Sequence, residues 1–152
     1  MFKRLALVAL STAVVTSPAQ ANQLKDYIYA NPVLSVVHES GTKIFFQGET
    51  CSDAYGSYSF EKDEMTICLE NHSDYAELGD TIRHEAVHVI QNCNRGPVMS
   101  MLDTAKYATP ADKAFAENYP HARQHMELEA NIAARNLNDE EVASLVYKFC
   151  FE

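Results

Sequence analysis

The residues best suited to chemistry lie in one short run, Thr81–Gln91. Within it His84-Glu85-Ala86-Val87-His88 reads His-Glu-x-x-His, with apolar residues interleaved. On a helix, positions four apart share a face one turn above each other, so His84 and His88 can chelate a single zinc ion. Glu85, next in sequence, can then reach a water on that metal. Two helical histidines can equally be ordinary side chains, so the rest of the chain must supply what a metal site needs.

Two histidines leave zinc under-coordinated. A hydrolytic site needs a third protein ligand and keeps water in the fourth position. In metzincin-type sequences that ligand is a histidine six residues after the second. Asn94 stands there in this chain, and Gln91 occupies the usual glycine position, so the third ligand must come from another element. The richest donor stretch is His125-Met126-Glu127-Leu128-Glu129-Ala130-Asn131, with helical composition. Glu127 and Asn131 are one turn apart and share a face. Glu129 lies about 200° round the helix from Glu127, so the two cannot easily bind one ion. Glu127, Glu129, His121 and His125 all remain candidates on these grounds, and a solvated helix face is the ordinary fate of either glutamate.

His84-Glu85-x-x-His88 followed by Glu127-x-x-Ala130-Asn131 resembles the gluzincin arrangement of zinc metallopeptidases. The run Glu127–Asn131 is similar to that of ImmA/IrrE-type peptidases and to the Glu-x-x-Ala-Asp of membrane-bound CAAX-type peptidases. The resemblance covers two helices and not the whole chain. It implies one zinc ion held by His84, His88 and Glu127, with Asn131 supporting a zinc histidine. It further implies a metalloendopeptidase, in which zinc activates a water and polarises the scissile carbonyl while Glu85 serves as general base. Tyr107, Tyr119, His121, His125 and Arg135 are the candidate donors to a developing oxyanion. The alternative is a non-catalytic zinc-binding or protein-interaction module retaining a zincin-like fold. Glu85 argues against it, because a structural site needs no general base and closes its fourth position.

These side chains need elements to position them. Ile82, Ala86, Val89 and Ile90 recur at helical spacing, and Asn94-Arg95-Gly96-Pro97 ends that helix. Upstream, Val33–His38 and Lys43–Gln47 read as a hairpin around Glu39-Ser40-Gly41-Thr42. Tyr55–Phe60 and Met65–Leu69 read as further strands, giving a small antiparallel sheet. The strand Tyr55–Phe60 can pack its aromatic residues in the core, or offer a sheet edge to an extended peptide, with Gly56 and Ser57 leaving room for its backbone. Leu24–Ala30 is a helical turn stopped by Pro32. Downstream, helices start at Pro110 with Thr109 as cap, at His121 after Pro120, and after Asn138. Sheet first and helices after predicts an α+β fold: a small antiparallel sheet followed by a zincin-like helical half carrying the motif.

The whole chain sets the setting. Its 152 residues suffice for one domain, residues 22–152, and a net charge of −9 argues against nucleic acid or anionic membrane as partner. The expected partner is a peptide or protein substrate, neutral or basic by the field argument. Lys3 and Arg4, the apolar run Leu5–Val15 and Ala19-Gln20-Ala21 form a signal-peptide pattern, with cleavage expected after Ala21. That predicts a periplasmic or secreted protein with no stable membrane association after cleavage. The four cysteines then predict two disulfides. Of three possible pairings, Cys51–Cys68 would staple adjacent strands, and Cys93–Cys150 would tie the motif helix to the C-terminus.

Overall fold

In chain order, residues 18–47 and 49–152, which this computed structural model describes, form α1 (Pro18–Ala30), α2 (Pro32–Glu39), β1 (Lys43–Phe46), β2 (Gly56–Ser59), β3 (Glu64–Ile67), α3 (Tyr75–Asn94), α4 (Met101–Tyr107), α5 (Pro110–Ala116), α6 (His121–Asn136) and α7 (Asp139–Phe151). The signal-peptide pattern falls mainly on residues 1–17, outside the described residues. Its cleavage motif, Ala19–Ala21, lies within α1.

The motif helix α3 is the spine of this α+β fold. Asp74 caps its start by accepting from the Glu77 amide, and the helix ends where Arg95 turns left-handed at φ 59°. Its apolar face, Leu78, Ile82, Ala86, Val89 and Ile90, is buried in the central core with Val33, Val37, Met65, Ile67, Val142 and Val146. Helices α2, α6 and α7 and strands β2 and β3 all pack against it. Burying several such side chains contributes roughly 1.5–3 kcal/mol each, so α3 is the element least free to shift.

The N-terminal half departs from the expected hairpin. Val33–His38 is helical, within α2, and not a strand. Pro32 does stop α1, and it also occupies the first turn of α2, where a missing N–H costs nothing. The Asn31 side chain accepts from the Val33 and Leu34 amides at 3.0 and 3.1 Å. Val33, Leu34 and Val37 then fall on one stripe and are buried, so packing outweighs the strand preference of valine. The sheet is correspondingly mixed, not wholly antiparallel. Its order is β1-β3-β2, with β2 antiparallel to β3 and β1 parallel to it.

Helices α6 and α7 are held to α3 by a polar hub. Arg83 on α3 donates from Nε to the Ala134 carbonyl near the end of α6, at 3.0 Å. Its guanidinium also reaches Asp139 in the first turn of α7, and Asp80. Asn31 donates to the other oxygen of Asp139 at 3.0 Å. One residue before the motif therefore sets the angle at which α6 crosses it.

Both disulfides form as expected, Cys51–Cys68 and Cys93–Cys150. Cys51 lies in a 3-10 turn, Glu49–Ser52, and not in a strand. Two disulfides are the mark of a chain that folds in an oxidising compartment. Cys93–Cys150 spans 57 residues and joins the end of α3 to α7. Loop-closure entropy gives such a bridge about 4 kcal/mol. The paired substitution Cys93→Ser and Cys150→Ser is therefore expected to lower the denaturant midpoint by a corresponding amount. An unchanged midpoint in chemical unfolding would show the bridge contributes nothing.

No helix among the described residues is long and apolar enough to cross a membrane.

Candidate metal centre

The packing of α6 on α3 brings three donors together. His84 Nε2 and His88 Nε2 stand 3.4 and 3.5 Å from the same oxygen, Glu127 Oε2. One ligand atom of each of the three residues lies within 4.8 Å of the others, and the three could hold a metal ion. Donor atoms about 2.0–2.1 Å from a tetrahedral ion stand about 3.3–3.4 Å apart, close to both observed separations. Glu127 Oε2 is moreover buried and has no hydrogen-bond partner. A buried carboxylate oxygen without a donor is costly, and a cation among these three atoms would satisfy it. The donor set therefore fits a metal.

Glu129 is no part of this group. It is buried on another side of α6, where it accepts from Gln91 Nε2 at 2.7 Å and from the Val98 and Met99 amides. His125 pairs with Thr104 Oγ1 at 2.7 Å, and His121 is exposed at the start of α6. Asn131 lines the cavity beside the site, yet among the described residues no hydrogen bond joins it to either motif histidine. The side chain that does hold a motif histidine is Gln91, whose Oε1 accepts from His88 Nδ1 at 2.7 Å. In the sequence Gln91 stands out only as a departure from the metzincin glycine. Its place three residues after His88, on the same helical face, was the available signal.

A cavity of about 630 Å³ opens beside the group, with His84 and Glu85 in its wall together with Tyr55, Gly56, Phe115 and Tyr119. Glu85 is 5% exposed. Gly56, at the start of edge strand β2, lies so near that an added Cβ would stand 2.8 Å from Thr81 Cγ2 and 3.0 Å from Glu85 Cγ and Oε1. A glycine there lets the strand approach the motif helix.

The two carboxylates differ in environment. Burial raises the Glu85 carboxyl above the ordinary range, only partly opposed by His84 and His88. Burial acts on Glu127 in the same sense, but His84 and His88 outweigh it and bring Glu127 down to about 2. Burial opposes a charge on His88, and the Glu127 and Glu85 carboxylates overcome it, raising its pKa. Neighbouring carboxyls pushed apart in this way can take different roles, one a fixed anion and the other a proton carrier.

Of the possible oxyanion donors, Tyr119 lines this cavity. Burial, then the Glu127 and Glu85 carboxylates, raises its pKa and keeps its hydroxyl a donor. Arg135 also lines the cavity, but its guanidinium is engaged with Asp112 at 2.8 Å and with the Tyr107 carbonyl. Tyr107 borders a second, mainly apolar cavity.

Fold and donor set together define an α+β protein with a largely buried two-histidine, one-carboxylate group able to hold a metal ion beside an open cavity. The chain belongs to the family described as a domain of unknown function (DUF8637), which matches residues 26–151. No curated protein and no solved structure matches the chain.

Proposed function

We propose that this protein is an exported zinc-dependent peptidase with one zinc held by His84, His88 and Glu127. The observation that carries the reading is the convergence of two imidazole nitrogens on the unpartnered Glu127 Oε2, with Glu85 in the wall of the adjoining cavity. Two nitrogens and one oxygen suit zinc, and three protein ligands leave a position for chemistry. Zinc held there supplies Lewis acidity, which activates water and polarises a carbonyl.

The chain's own groups do the rest. Glu85, raised by burial, takes the proton of the attacking water and returns it to the leaving amine. Tyr119 donates its hydroxyl to the carbonyl oxygen as charge develops there. Outer strand β2 supports a peptide substrate, because Tyr55 and Gly56 line the same cavity and an extended chain can lie along the side of a sheet. The same strand also packs in the core through Tyr58. The signal-peptide pattern and the two disulfides support a periplasmic or secreted location.

The test is metal analysis of the purified chain, followed by hydrolysis of fluorogenic peptides before and after chelation and zinc return. Zinc near one per chain and activity that follows it are expected. A chain that purifies and refolds without binding zinc sinks the proposal. Tyr119→Phe is expected to lower kcat about 100-fold with zinc content unchanged, and an unaltered kcat would remove Tyr119 from the reaction.

A further inference from the structure

The second nitrogen of His88 is held more closely than the first. Its Nδ1 lies 2.7 Å from Gln91 Oε1, and Gln91 is 1% exposed. The amide of Gln91 has one possible orientation. Its other end lies 2.7 Å from Glu129 Oε2 and 3.0 Å from the Met126 carbonyl. A carbonyl only accepts. A carboxylate at Glu129 likewise only accepts, and its other oxygen takes the Val98 and Met99 amides. The NH2 of Gln91 must face these two, and its carbonyl oxygen must face the ring. The neutral ring of His88 then carries its proton on Nδ1, and its Nε2, on the side of Glu127 and His84, is the nitrogen left to bind a metal.

We infer that Gln91 and Glu129 are positioning residues that fix the tautomer and ring plane of His88 for metal binding, with Glu129 anchoring the pair to the turn after α3. The inference rests on the metal-binding reading above. Two carboxylates of α6 thus act on opposite nitrogens of one imidazole. Glu127 meets Nε2 directly, and Glu129 acts on Nδ1 through Gln91. Three N–H donors offset the cost of burying the Glu129 charge. The Val98 and Met99 amides are ordered by the same carboxylate, so the turn that follows the motif helix is built into the site. A ligand imidazole commonly needs such a partner on its far nitrogen.

The test is zinc affinity, measured by competition with a chromogenic chelator, and the visible absorption of the cobalt-loaded protein. Gln91→Met keeps the volume and removes the hydrogen bonds. It is expected to weaken zinc binding about 10–100-fold and to alter the cobalt spectrum. Gln91→Glu sets a second carboxylate against Glu129 and is expected to be as weak. Combining it with Glu129→Gln reverses the dipoles. One oxygen at position 91 still accepts from His88 Nδ1, and the other accepts from the new amide at position 129. That amide's oxygen takes the Val98 and Met99 donors, so only the Met126 carbonyl goes without. The double substitution is therefore expected to recover most of the lost affinity, and it keeps the test alive should Gln91→Met fail to fold.

Wild-type affinity and an unchanged cobalt spectrum in Gln91→Met would overturn the inference while leaving the zinc site standing. A double variant no tighter than Gln91→Glu alone would overturn the linkage through Glu129. A wild-type chain that binds no zinc would overturn the metal reading itself, and this inference with it.

Discussion

Glu85→Gln is expected to lower peptide hydrolysis by roughly 10²–10⁴-fold while zinc stays bound. The substitution preserves size, which matters because Glu85 Cγ and Oε1 stand 3.0 Å from where a Cβ at position 56 would be. It also spares the donor group, since Glu85 is not among the three converging residues. What it removes is the capacity to accept a proton. The kcat of wild type and variant, with metal content measured on the same samples, checks this. A variant that keeps zinc and full activity would refute the base assignment. Wild type that holds zinc and cleaves no peptide would instead favour a non-catalytic zinc-binding module.

Glu127→Ala has the largest expected effect on the metal itself. It removes the one oxygen that both histidines face and leaves two ligands for an ion that needs at least three. Zinc affinity is expected to fall by more than the roughly 10–100-fold lost when an outer partner is removed. Stability reports the same event independently. A ligand at a hundred times its Kd stabilises a fold by about 2.7 kcal/mol, so added zinc should raise the melting temperature of wild type and leave Glu127→Ala unmoved. Glu129→Ala, in contrast, should still bind zinc, though more weakly, because it loses an anchor and not a ligand. If Glu129→Ala loses all metal while Glu127→Ala keeps it, the ligand set proposed for this site is wrong.

Much of the helical half was legible because its signals are local. Thr109, Asn138 and the Gly96-Pro97 stop act within a few residues, and the caps form where they stand. Val33–His38 was misread because β-branched residues suit a strand and a buried helix face alike. Only a partner surface distinguishes the two, and that surface is α3 with α7. The parallel pairing of β1 with β3 was equally out of reach, since β2 comes between them in sequence and no adjacent turn records the register.

The motif shows the same division. Spacing alone determines that His84 and His88 share a face and that Glu85 stands beside them, because helical geometry repeats every 3.6 residues whatever surrounds it. Spacing also leaves Glu127 and Glu129 as rival donors separated on one helix. Only the crossing of α6 over α3, held by Arg83 at Ala134 and Asp139, decided between them. It turns Glu127 toward both histidines and gives Glu129 to Gln91 and the turn beyond. That choice depends on contacts between residues some 35 to 55 positions apart, which no local pattern encodes.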